Sequence, residues 1–220
     1  MEEHHFVTDY NRLVDHLLQT KPLDVAMSEA VGGNYDLIGR RQLEDLQSAG
    51  LKDGMRLIDF GCGSGRLSSQ LGRTMSIDYT GIDVVQSLLD FAKNQSPPGY
   101  KFILNQGLAI PLSNDCADFV CAFSVFTHLL PVEIFIYMRE IRRLLKPGGS
   151  LVCTFLEFDT DWNLFMEDVS VRLRGRPGHL NMHLEQSTIN RFCDTIGYVQ
   201  ESFTSKAGSL SPYILRSTRL

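Results

Sequence analysis

No stretch of this 220-residue chain is apolar for long enough to cross a bilayer as a helix, which needs about twenty such residues in a row. The opening residues Met1 to His5 are acidic, unlike a secretory leader, so a cytoplasmic location is expected and no membrane partner. Cysteine is sparse and out of pattern. Cys62, Cys116, Cys121, Cys153 and Cys193 are odd in number and include no C-x-x-C pair, which argues against a disulfide framework and a zinc site. An excess of basic residues is also missing: 21 Lys and Arg stand against 26 Asp and Glu, a formal net charge of −5, the wrong sign for lying along a nucleic-acid backbone. There are no internal repeats and no low-complexity linker, so one domain is expected, and 43% hydrophobic residues suffice for a substantial core.

Among what is present, Leu57-Ile58-Asp59-Phe60-Gly61-Cys62-Gly63-Ser64-Gly65-Arg66 stands out. An apolar run ending in a carboxylate and then alternating glycine with small residues reads as a buried parallel strand that turns tightly into a helix N-terminus. Glycine there lets a ligand lie against the main chain. Arg66 stands where a dinucleotide fingerprint would need glycine, and no G-K-[ST] ending follows, so both pyrophosphate readings lose ground. About twenty residues on, Tyr79-Thr80-Gly81-Ile82-Asp83 ends in a second carboxylate, where a ribose is held through its hydroxyls.

From Met55 onward the periodicity alternates strand and helix, the pattern of βαβ crossovers and a parallel sheet. It predicts strands near 56–60, 77–82, 100–104, 118–124 and 150–156, with helices near 64–72, 85–94 and 131–145. A helix near 186–196 and strands near 198–204 and 211–217 follow. Upstream, apolar residues at helical spacing predict helices over 6–20 and about 36–49, the second with Gly39 and Arg40 one turn before Leu43. The stretch 157–185 is long for a connection and carries Trp162, Phe165, Arg172, Arg174, Arg176 and Pro177-Gly178; it reads as a substrate lid.

These motifs together resemble the class I S-adenosylmethionine-dependent methyltransferases. The likeness rests on Leu57 to Arg66, Gly81-Ile82-Asp83, Ala117-Asp118-Phe119-Val120 and Leu145-Lys146-Pro147-Gly148-Gly149, across roughly residues 51–158. It implies an α/β fold: a doubly wound, mostly parallel seven-stranded sheet with a reversed last hairpin and an N-terminal helical cover. The chain then divides into a cap at 1–50, a cofactor-binding core at 51–156, the lid at 157–185 and a C-terminal helix and hairpin at 186–220.

By that resemblance S-adenosylmethionine is the cofactor, and Gly61, Gly63 and Gly65 cradle it. Asp83, followed by Val84, accepts both ribose hydroxyls, its rival role being a helix N-cap. Asp59 orders the loop and approaches the cofactor's ammonium group, or is a buried carboxylate satisfied by backbone donors. Gln106, Gly107 and Leu108 fall in the adenine-contact segment, with Gln106 where aspartate is common, and Phe123 lines the cofactor. Arg40 and Tyr10 are candidates for the methionine carboxylate, against a plain solvated arginine beside Arg41.

His128, after the fourth strand, is the candidate catalytic base, able to take a proton as an alcohol or phenol is alkylated; the rival reading is a capping or packing histidine. An [ND]-P-P-[YF] motif is absent, Ala122-Phe123-Ser124-Val125 standing in its place, which disfavours methylation of amide or exocyclic nitrogen. His179 and His183 share i, i+4 spacing, but the preceding Pro177-Gly178 and the lack of H-E-x-x-H make loop or substrate-facing histidines the better reading, with no metal. The expected activity is methyl transfer to an oxygen or nitrogen of a small-molecule acceptor. A cofactor-binding partner or regulatory protein without turnover stays open, and an RNA or protein methyltransferase is disfavoured by the acidic balance.

Overall fold

The computed structural model describes residues 4–174, 180–203 and 212–217. Three helices lead: α1 (His5–Thr20), α2 (Leu23–Glu29) and α3 (Tyr35–Ser48). The core follows as β1 (Arg56–Phe60), α4 (Arg66–Thr74), β2 (Asp78–Asp83), α5 (Gln86–Asn94), β3 (Lys101–Leu104), β4 (Ala117–Ala122), α6 (Pro131–Leu144) and β5 (Leu145–Thr154). Last come β6 (Leu156–Glu157), α7 (Trp162–Leu173), β7 (His183–Leu184), α8 (Gln186–Ile196), β8 (Tyr198–Phe203) and β9 (Pro212–Ser217).

The main sheet has seven strands in the order β3-β2-β1-β4-β5-β9-β8. The neighbours from β3 through β5 run parallel, while β9 is antiparallel to both β5 and β8. This is the doubly wound sheet with a reversed last hairpin, and its strand order turns back between β1 and β4. Ligand crevices open at that point in such sheets, beyond the carboxyl ends of the strands.

Alternation along the strands splits the core into two layers. Ile58, Phe60, Val120 and Leu151 face α6 and α8, where Ile134, Met138, Ile141 and Ile189 are fully or almost fully buried. Leu57, Tyr79, Cys121 and Val152 face α3 and α4, meeting Leu43, Leu46, Leu67 and Leu71. A third cluster joins α1 and α2 to α5 through Val14, Leu17, Met27, Val85 and Leu88. The N-terminal helices are thus pinned over the end of β2.

Three elements depart from the sequence expectation. Helix α2 falls in a stretch read as turns; Pro22 starts it and Ala26, Met27 and Ala30 bury one face. Strand β5 begins at Leu145, directly after α6, and its register against β4 shifts between Ala117 and Phe119, so Lys146 to Gly149 form an irregularity inside the strand. The stretch 157–185 is not an irregular loop: it holds α7 and is tied by a small parallel sheet pairing Leu156 with His183 and Glu157 with Leu184. Arg176, Pro177, Gly178 and His179 lie outside the described residues.

Candidate functional site

A cavity of about 1170 Å³ opens at the carboxyl ends of β1, β2 and β4 and runs on toward α3. Its wall includes Tyr10 from α1, Ala30 and Val31 after α2, Asp59, Gly61, Gly63 and Arg66 from the glycine loop, and Asp83, Val84 and Asn105 from the next two strand ends. Phe123, Ser124, Thr127 and His128 close the other side.

The glycine loop is built by close approaches. Gly61 has φ 77°, and a Cβ there would lie 2.2 Å from Val125 Cγ2; only glycine fits, and the main chain stays bare toward the cavity. Gly63 donates its N–H to Asp83 Oδ2 at 2.8 Å. Gly65 has a different use: it caps α4 and presses against α5, a Cβ there lying 2.7 Å from Ala92 Cβ, and it is not in the cavity wall. Of the three glycines expected to cradle a ligand, Gly61 and Gly63 stand in the cavity wall and Gly65 stands behind it.

Asp83 is buried, and burial raises its pKa, opposed by backbone N–H donors. Its Oδ1 accepts from Val84 N at 2.8 Å and Val85 N at 3.1 Å, its Oδ2 from Gly63 N. A carboxylate has about four acceptor sites, so about one remains, on Oδ2. Asp83 is not the N-cap of α5, which is Val85; it holds the two residues ahead of that helix and keeps acceptor capacity on Oδ2.

Asp59 is also buried, but its donors are side chains: Tyr79 Oη at 2.7 Å and the Cys121 thiol at 3.4 Å. Burial pushes its pKa up to about 6, these hydrogen bonds and Arg66 holding it back. Arg66 spends one N–H on the Val31 carbonyl, and burial lowers its pKa while Asp59 and Tyr10 support its charge. A guanidinium and a carboxylate in one cavity wall suit the two charged ends of an amino-acid moiety. In the sequence Arg66 stood out only as the residue that was not glycine.

Arg40 is exposed and absent from the cavity wall. Helix α3 buries Gly39, Gln42, Leu43 and Leu46, an i, i+3, i+4, i+7 stripe, and Arg40 stands about 100° off Gly39 around the axis. Gln106, Gly107 and Leu108 are likewise outside the wall, where Asn105 stands instead. Gln106 turns back to donate its amide N–H to the Val84 carbonyl at 3.0 Å, and the Gly107 carbonyl accepts from Tyr137 Oη at 3.1 Å.

His128 lies in the wall at the end of a short 3-10 turn, Phe126–His128. The chain reaches it through Ser124, whose φ of 58° bends the end of β4 and whose N–H bonds Thr154 Oγ1 at 2.7 Å. His128 Nδ1 is 2.8 Å from the Leu180 carbonyl oxygen. That oxygen cannot donate, so Nδ1 carries the proton and a neutral ring has its lone pair on Nε2. Tyr10 meets the ring edge-on at 5.5 Å between centroids, and burial raises the tyrosine's pKa, so it stays a neutral phenol. No group of His, Cys, Asp and Glu side chains that could hold a metal ion occurs among the described residues.

A family profile described as a methyltransferase domain matches residues 58–153. The ubiquinone biosynthesis O-methyltransferase of Cereibacter sphaeroides is 35% identical over 111 residues, 47% of this chain and 42% of that protein. The demethylmenaquinone methyltransferase of Staphylococcus aureus is 28% identical over 120 residues, 52% of this chain and 47% of that one. The match therefore spans less than half of either relative's length. Among solved structures, magnesium protoporphyrin IX methyltransferase from Synechocystis, crystallised with bound SAH, superposes with a TM-score of 0.67 over 97% of this chain and 95% of that one, at 16% identity. A methyltransferase from Methanosarcina mazei gives 0.63 over 80% of this chain and 97% of that chain at 18% identity, a likeness of fold.

Proposed function

We propose that this chain, which matches a methyltransferase-domain profile over residues 58–153, acts as a class I S-adenosylmethionine-dependent methyltransferase and transfers a methyl group from S-adenosylmethionine to an oxygen of a small-molecule acceptor, with nitrogen as the second choice. The observation that carries this reading is one cavity wall holding Asp83, Asp59, Arg66 and His128 together. The residues present fit the donor: a carboxylate with acceptor capacity left for a ribose hydroxyl, a half-buried arginine for its carboxylate, and a buried aspartate for its ammonium. Val84 and Phe123 supply apolar wall for its base.

When bound, S-adenosylmethionine supplies an activated methyl on a sulfonium. The work left to the chain is orientation and exclusion of water. Tyr10 and Phe6 of α1 roof the cavity, and Phe123 and Leu156 give it dry surface. His128, its Nδ1 proton fixed on Leu180, offers Nε2 to a hydroxyl that becomes more acidic as it is alkylated. A quinol- or phenol-like acceptor agrees with the names of the two relatives, and remains part of this proposal.

The test is methyl transfer from isotopically labelled S-adenosylmethionine to a panel of phenols and amines. His128→Ala is expected to lower kcat roughly 100-fold with little change in affinity for S-adenosylhomocysteine. Unchanged turnover in the variant would leave His128 a structural residue, and labelling of no panel member by the wild type would overturn the reading.

A further inference from the structure

Beneath α7, next to the cavity but outside its wall, His183 is 5% exposed, and neither of its ring nitrogens has a hydrogen-bond partner among the described residues. It sits in a box of aromatic rings. Phe158 lies 5.5 Å away at 35° and Phe165 5.5 Å away at 79°, with Trp162 backing Phe165 at 5.2 Å. An imidazole needs one donor and one acceptor partner, and each unmade bond at a buried group counts against the fold. A native fold carries such a cost where something else will meet it.

The surroundings say what that is. Leu156, paired with His183 across the small sheet, lines the cavity, as do Asn181, two residues upstream, and Leu164, next to Phe165. Thr127 lines it too; its carbonyl accepts the Met182 N–H at 2.8 Å, and its own hydroxyl is buried without a partner among the described residues. One thin layer of side chains thus separates the box from the cavity, and part of that layer is α7. No side chain of α7 is buried, while Trp162, Leu164, Met166, Val171 and Leu173 are exposed. A helix with so little burial is the cheapest element here to displace.

We propose that the His183 box is the distal subsite for the acceptor, taking a neutral hydroxylated aromatic ring when α7 moves and Phe165 withdraws. The incoming ring replaces Phe165 against Phe158 and His183, and its hydroxyl supplies the partner the imidazole lacks. The segment 180–183 ties this subsite to the reaction centre, because the Leu180 carbonyl that orients His128 lies three residues from His183. The subsite rests on the acceptor reading above and names its chemical class.

The probes are p-cresol and toluene, which differ by one hydroxyl, titrated into the full chain with and without S-adenosylhomocysteine. Trp162 is the single tryptophan of the sequence, so its fluorescence reports on α7 directly. The expected result is a Trp162 signal on binding and about tenfold tighter binding of p-cresol than toluene. The ratio should fall to about one in His183→Leu and recover in part in His183→Gln. Equal affinity for both probes in the wild type, or an undiminished ratio in both variants, would overturn the subsite. Failure of S-adenosylhomocysteine to bind would instead overturn the donor site, since the probe ratio is read in its absence as well.

Discussion

Asp59 shows how one buried carboxyl in the cavity wall comes at a cost to the fold. Its ordinary value is 3.8 and its folded value about 6, burial being the main cause. On raising the pH the unfolded chain loses this proton first, so the contribution to stability is greatest below about 3.8 and declines until the folded group also ionises, near 6. The loss is on the order of 3 kcal/mol, since each tenfold change in an ionisation constant between the unfolded and folded chain is worth about 1.4 kcal/mol. Asp59→Asn removes that ionisation. Urea unfolding of wild type and variant at about pH 4.5 and about pH 7.5, on either side of the folded value, should show the variant gaining more relative to wild type at the higher pH; an identical difference at both would remove the assignment. The carboxylates at 59 and 83 were legible because each ends an apolar run. Arg66 was not, because a cation just after a glycine loop has no sequence signature until α2 brings the Val31 carbonyl to it.

Among elements, the contact between α3 and α4 decides where that arginine sits. Gly39 is buried at this contact, and a Cβ there would lie 2.4 Å from the Arg66 carbonyl oxygen, a backbone atom that cannot step aside. Gly39→Ala should therefore destabilise by about 1–3 kcal/mol, although alanine favours a helix interior by about 1 kcal/mol. It should also weaken S-adenosylhomocysteine binding, because the start of α4 carries Arg66. A stability equal to or above wild type in denaturant unfolding would contradict this packing. The strands and helices of the core were readable from their periods, about 2 and about 3.6 residues, since each has one face to bury. Helix α2 was hidden by its seven-residue length between Pro22 and Gly32-Gly33. Helix α7 was hidden for a different reason: with no side chain buried, it has no stripe to read.

Across the whole molecule, the donor half and the acceptor half are written differently. The donor half is backbone geometry at the carboxyl ends of parallel strands, and Gly61, Asp83 and the strand order recur as short local patterns. The acceptor half proposed above draws on α1, the turn at His128 and the described residues from Phe158 to Leu184, which meet only in three dimensions. His128 was legible by its place after β4, whereas its Leu180 partner, 52 residues on, was not. The same holds for His183, whose neighbours Phe158 and Phe165 lie at the far end of the 157–185 stretch. Gln106 and Arg40 stand outside the cavity wall, held by a neighbouring carbonyl and a helix face that are both invisible in one dimension.

The central claim is that the cavity between β1, β2 and β4 is built for the methyl donor. It is tested most directly by calorimetric titration of S-adenosylhomocysteine and of NAD into the wild type and Asp83→Asn. The wild type should bind S-adenosylhomocysteine at one site per chain and NAD not measurably, and the variant should lose at least about tenfold in affinity while staying folded. NAD binding as tight as S-adenosylhomocysteine, or an affinity that Asp83→Asn leaves unchanged, would contradict it.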